Sequence, residues 1–189
     1  LGLGALMARA GVPVAASESS VVGYFNPVLT DIGDDQSIQK NLSTFSAHVT
    51  NLVRVLTQAT PDALVLLDEV ATGTDPNEGA ALACALVDAL CRAGAAVVVT
   101  THYGRLKAMA VEDGRLRNAS VGFDVAQMLP TFEVRDDVPG SSSALAVASR
   151  FGMPEDVLSR ARALIPEQSR TFDSLVRQLE ERFESLSRA

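Results

Sequence analysis

The sequence predicts an α/β fold built on a parallel sheet flanked by helices, on three observations. Leu64, Val65, Leu66 and Leu67 are consecutive large apolar residues, preceded by Pro61 and Asp62 and followed by two carboxylates, Asp68 and Glu69. That is the pattern of a strand buried on both faces. A second apolar run, Ala95 to Val99, is rich in β-branched residues and ends in Thr100-Thr101-His102-Tyr103. Between them lies a helical pattern, so the unit is strand–helix–strand, which is parallel with a right-handed crossover. Open α/β sheets place their ligands beyond the carboxyl ends of the strands. Asp68, Glu69 and His102 therefore belong to one functional edge.

Taken in order, LGLGALMARAG has helical spacing, with Leu3, Leu6, Met7 and Ala10 on one side and Gly11 as a stop. It carries neither an initiator Met nor a cap, and so reads as part of something longer. Strands are expected around Val21 to Phe25 and from Val28 to Ile32, with a turn at Gly33-Asp34-Asp35. Phe45, Val49, Leu52, Val53, Leu56 and Ala59 recur at three- and four-residue spacing, which predicts a long helix starting near Ser43 or Thr44, both good caps, and ending before Pro61.

After the central strand, Asp75 is placed as a cap, with Pro76 at the first helical position and Glu78 completing a capping box. Leu82, Ala85, Leu86, Ala89 and Leu90 form the apolar face of that helix, and Gly94 ends it. A short helix from Gly104 to Ala110 follows the second apolar run. Strands are then expected from Ala119 to Val125 and from Thr131 to Val134. From Ala144 onward the pattern is helical, broken at Gly152-Met153-Pro154 and at Pro166. The final segment, TFDSLVRQLEERFESLSRA, carries an apolar stripe opposite its charges.

The 189 residues suffice for a full core, and 47% hydrophobic with 21% charged residues is ordinary for a globular protein. A formal net charge of −7 argues against a nucleic-acid-binding face spread over the chain, because phosphate contacts need clustered Lys and Arg. No stretch has the apolar length to span a bilayer, and no signal region opens the chain, so a cytoplasmic protein is expected. Cys84 and Cys91, seven apart in a helix, stack about two turns (roughly 10 Å) apart. That is beyond disulfide reach. They read as small apolar core residues.

A phosphate-hydrolysing ATPase needs a metal anchor, a water-orienting base, a sensor of the terminal phosphate and a phosphate cradle. Asp68, at the end of a buried strand, suits Mg2+, held directly or through its waters. Glu69, expected on the other side of the strand, suits polarisation of the attacking water. His102, at the end of a second buried strand, suits contact with a phosphate oxygen or with that water. His48, inside a helix, reads as structural.

The combination resembles a known family. STF at a helix start, LVLLDE, GTDP directly after it and VVVTTHY about thirty residues on are similar to the signature, Walker B, D-loop and switch histidine of the MutS family of ABC-type ATPases. DIGDDQSI, LSTFSAHVTN, LLDEVATGTDPNEGAALA, TTHYGRLKA and NASVGFD resemble its bacterial MutS-two branch. The resemblance implies a P-loop NTPase sheet, truncated at its N-terminal side, in a homodimer with two ATP sites at the interface. Asp68 would hold the metal, Glu69 would be the catalytic base and His102 the γ-phosphate switch. Ser43 and Thr44 would reach the partner's ATP, and Thr74 and Asp75 would couple the sites. On this basis residues 1–140 are a partial ATPase core, 141–166 a helical dimerisation element, and 167–189 the start of a coiled-coil helix. The partners implied are a second copy and DNA or the ribosome, through regions outside this chain, with no membrane.

The sequence also departs from that family. The P-loop, G-x-x-x-x-G-K-S/T, is absent, and LGLGALMARAG matches the segment just downstream of it. The fourth part, the cradle, is missing, so the fragment alone is expected to bind ATP poorly. Arg135-Asp136-Asp137 and Ser141-Ser142 differ from the usual pattern before the helical element. Two other readings remain: a dimerisation module whose ATPase features serve architecture only, and another ABC-type ATPase of chromosome maintenance, whose Ser- and Gly-rich signature LSTFSAHV lacks.

Overall fold

A computed structural model describes residues 1–33, 41–124, 129–140, 144–166 and 176, with the side chains of 41–44 and 124 outside that description. The fold is mixed α/β and divides into two compact units, Leu1–Met109 and Ala110–Ala189.

The first unit contains α1 (Gly2–Arg9), β1 (Val28–Asp31), α2 (Asn41–Gln58), β2 (Leu64–Leu67), α3 (Pro76–Arg92) and β3 (Ala96–Val99), and α4 (Gly104–Glu112) begins at its end. The strands form one parallel sheet in the order β1-β2-β3, with Leu67 opposite Asp31 on one side and Val99 on the other. β2 is the middle strand, and all four of its side chains are buried. Alternate residues point to opposite faces. Leu64 and Leu66 pack with Ala5 of α1, and a Cβ at Gly2 would fall 2.5 Å from Leu66 Cδ1, so α1 lies close on that face. Two successive right-handed crossovers put α2 and α3 together on the other face. Both touch the sheet and each other, and Leu52, Val55, Ala83, Leu86, Val87 and Leu90 are buried there. Each large side chain so covered contributes about 1.5–3 kcal/mol.

α3 has clear chemical ends. The Asp75 carboxylate accepts the amides of Asn77 at 2.9 Å and Glu78 at 3.1 Å, with Pro76 at the first turn where no donor is missed. At the other end Gly94 takes φ +77°, the left-handed turn that closes many helices.

Several expectations are corrected. Residues 21–25 form no strand: Val21 is 95% exposed and Tyr24 74%, while Phe25, half-buried, packs against the cluster of Ala5, Leu64 and Leu66. α2 begins at Asn41, so Ser43 and Thr44 sit in its first turn rather than capping it. β3 is only partly buried, with Val98 40% exposed, because it is the edge of the three-stranded sheet. Asp34 and Asp35 lie outside the described residues.

The second unit holds β4 (Ala119–Asp124) and β5 (Leu129–Asp136), an antiparallel pair with Val121 opposite Val134, followed by α5 (Ala144–Arg150) and α6 (Glu155–Leu164). Gly152, at φ +85°, turns the chain between α5 and α6. Glu155 and Asp156 in the first turn of α6 and Arg162 in its last complement the helix dipole, and Arg162 also pairs with Glu155 at 2.6 Å. The expected helix over 167–189 and Ser141-Ser142 lie outside the described residues. Among the described residues no helix is long and apolar enough to cross a membrane.

Candidate functional site

The site forms where the parallel strands end. The ladder runs one residue past the strands, with the Asp68 amide donating to Asp31 O at 2.8 Å and the Thr100 amide to Leu67 O at 2.9 Å. Asp68 and Thr100 are thereby set side by side. The Thr100 hydroxyl donates to Asp68 Oδ1, and Thr100 Oγ1 also accepts the Glu69 amide at 2.9 Å. One threonine oxygen thus ties both acidic residues to the end of β3.

Glu69 was expected across the strand from Asp68, but β2 stops at Leu67, and Glu69 takes a left-handed φ of +47°. The strict alternation of a strand does not apply in that conformation. Asp68, Glu69 and His102 consequently line one cleft of about 410 Å³, together with Thr72, Thr100 and His48. The two acids and His102 are exposed to solvent there, consistent with groups that meet a ligand.

One flank of the cleft was not legible in the sequence. Asp31, the last residue of β1, is only 8% exposed, and its carboxylate is shared by two residues of α2. Asn51 Nδ2 donates to Oδ1 at 2.7 Å, and His48 Nδ1 meets Oδ2 at 3.1 Å. A carboxylate only accepts, so His48 Nδ1–H is the donor of this bond. Asn51 also donates to Thr30 O at 3.0 Å, and Arg54 donates to Asn51 Oδ1 at 2.8 Å. His48, read as structural from the sequence, is held structurally and also lines the cleft. The available signal was the three-residue spacing of His48, Asn51 and Arg54 on one helix face, opposite a strand ending in an acid.

The remaining sequence-derived residues lie elsewhere. Asp75 caps α3, and Thr74 precedes it, partly buried; neither lines the cleft. Ser43 and Thr44 are in the first turn of α2, and their side chains lie outside the described residues. Cys84 and Cys91 are not joined in a disulfide and are of intermediate burial, and burial pushes the Cys84 thiol up from its ordinary pKa.

Comparison with known proteins decides the family. Residues 1–168 match MutS domain V. The chain belongs to the MutS family. Its curated relatives place this MutS chain in the MutS2 branch. It is 48% identical to the "Endonuclease MutS2" of Pelotomaculum thermopropionicum over 179 residues, and 48% identical to that of Thermomicrobium roseum over 184 residues. The "Endonuclease MutS2" of Clostridium kluyveri is 42% identical over 182 residues. These alignments cover 95%, 97% and 96% of this MutS chain but 23% of each relative, so the chain spans about a quarter of the length of the curated relatives it matches.

Proposed function

We propose that this chain supplies the metal-binding, water-activating and phosphate-sensing side of an ABC-type ATPase site, in a MutS2-type protein that hydrolyses ATP at a homodimer interface. The observation that carries the reading is the gathering of Asp68, Glu69 and His102 around one cleft at the ends of parallel strands.

The donor chemistry fits Mg2+. Among the described residues no group of three or more His, Cys, Asp and Glu could hold a metal by itself. Mg2+ asks for less, since it keeps several waters and takes one or two carboxylates together with substrate phosphates. Thr100 occupies one oxygen of Asp68, and the other remains as the hard donor. When bound, Mg2+ neutralises charge on the β- and γ-phosphates.

This chain's residues do the rest. Glu69, its amide fixed by Thr100, turns its carboxylate to the attacking water and takes its proton as the water oxygen bonds to the γ-phosphorus and the bond from that phosphorus to the β–γ bridging oxygen breaks, so that ADP leaves. His102 meets a γ-phosphate oxygen or that water. Ser43, Thr44, Thr74 and Asp75 act at the partner subunit's nucleotide. A phosphate cradle of the P-loop type is not among the 189 residues, so the complete site needs residues beyond them.

On the same reading residues 1–140 are the ATPase core, 141–166 the helical dimerisation element and 167–189 the start of a coiled coil. The whole protein is cytoplasmic and acts on DNA or ribosomes. The nuclease activity that the relatives' name states would lie in a domain outside this chain. Glu69→Ala in the full-length protein tests the assignment: turnover is lost and ATP binding stays.

A further inference from the structure

We infer that Tyr103 is a positioning residue, whose hydroxyl clasps the loop after β2 to the end of β3 and so holds Glu69 and His102 in a fixed relation before nucleotide arrives. The chemistry it serves rests on the ATPase reading above, whereas the clasp itself rests on geometry alone.

The loop leaves β2 at Asp68 and enters α3 at Pro76. Inside it Glu69 has φ +47° and Ala71 φ +60°. Residues carrying a Cβ seldom occupy this left-handed region, and they persist there when their surroundings over-determine them. Two groups from the end of β3 do so. Thr100 Oγ1 accepts the Glu69 amide at 2.9 Å at the start of the loop. Further along, the buried Tyr103 hydroxyl donates to Ala71 O at 2.9 Å.

α3 leaves room for this contact only because residue 79 is glycine. A Cβ there would stand 2.5 Å from the Tyr103 hydroxyl oxygen and 2.7 Å from Ala71 O. The loop, the first turn of α3 and the end of β3 therefore meet at one hydroxyl. The same side chain abuts the switch residue, with the His102 and Tyr103 rings 4.6 Å apart and tilted by 46°. Below it the Tyr103 amide donates to Thr101 Oγ1 at 2.9 Å. A phenylalanine would fill the same apolar space. The hydroxyl has a separate task, which is to hold Ala71 and, through the short loop, Glu69.

The test uses the full-length protein. Tyr103→Phe is expected to lower kcat for ATP about tenfold with KM changed less than about twofold, the effect of one buried hydrogen bond expressed in the reacting geometry. Without nucleotide, amide hydrogen exchange in residues 69–73 is expected to quicken about tenfold, with the β2 amides unchanged. Gly79→Ala, whose Cβ displaces the hydroxyl, should quicken the same amides. Unchanged exchange of those amides in either variant, or unchanged kcat in Tyr103→Phe, overturns the inference. A uniform rise across β2 and α3 also overturns it, because that is general loosening. Glu69→Ala run in parallel separates the two readings. Retained turnover there defeats the ATPase assignment and leaves the exchange data to decide the clasp, whereas lost turnover beside an undiminished Tyr103→Phe defeats the clasp alone.

Discussion

Replacing Thr100 by valine removes one oxygen and keeps a side chain of similar shape, so it isolates what that oxygen does for the two acids. In the structure it makes two bonds, donating to Asp68 Oδ1 and accepting the Glu69 amide at 2.9 Å. A neutral bond of this kind is worth about 1 kcal/mol and one to a charged group about 1.5–3 kcal/mol. Asp68, Glu69 and Thr100 are all exposed, so water replaces much of what is lost. A net effect of about 1.4 kcal/mol on the reacting geometry is expected, which is tenfold in turnover. Steady-state ATP hydrolysis by the full-length protein measures it, with Thr100→Ser as the control that restores the oxygen. The expected order is wild type and Ser close together and Val about tenfold slower. Valine as fast as wild type, or serine as slow as valine, would refute the idea that the hydroxyl sets the acids.

Other consequences can be checked without nucleotide. Asp75→Ala removes the acceptor of the Asn77 and Glu78 amides and should cost about 1 kcal/mol in urea unfolding, whereas Asp75→Ser should recover most of it. Arg115 donates to both Asp113 oxygens, from Nη2 at 2.6 Å and Nε at 3.0 Å, and these hydrogen bonds bring the Asp113 pKa down to about 2. Because the folded pKa is the lower one, whatever the pair contributes is complete above the ordinary carboxylate range and is lost as pH falls through about 2. Carbon-13 NMR should show that midpoint in the native protein and a rise toward the ordinary range in Arg115→Ala, part of the depression staying because the amide of residue 115 still donates to Asp113 Oδ1. An ordinary midpoint in both would contradict the pairing.

The parts of the fold that could be read from sequence are those whose signals are local. Four apolar residues between a proline and two acids leave little choice but a buried strand, and Asp75-Pro76 followed by an apolar stripe marks a helix start without reference to anything else. Cover decides the rest. Among the described residues Val21 to Phe25 has the composition of a strand but no strand beside it, and the apolar run of β3 is half open because only β2 pairs with it. The cleft divides in the same way. Asp68, Glu69 and His102 could be assigned to one edge from strand direction alone. Asp31, His48 and Asn51 come from separate elements joined by long-range hydrogen bonds, so no window of sequence contains them. The left-handed turn at Glu69 has no local signal for another reason: the alternation of β2 ends at Leu67, and beyond it the backbone follows the hydroxyl of Thr100 instead.

In the proposed function Glu69 activates water for ATP hydrolysis at this cleft. The most direct test of that role is radiolabelled ATP given to the full-length protein with and without Glu69→Ala, measuring bound nucleotide and released phosphate in the same sample. The expected result is near-normal ATP retention in the variant with phosphate release at least about a hundredfold slower, the scale on which general-base catalysis contributes. Phosphate release at the wild-type rate from Glu69→Ala would contradict that role.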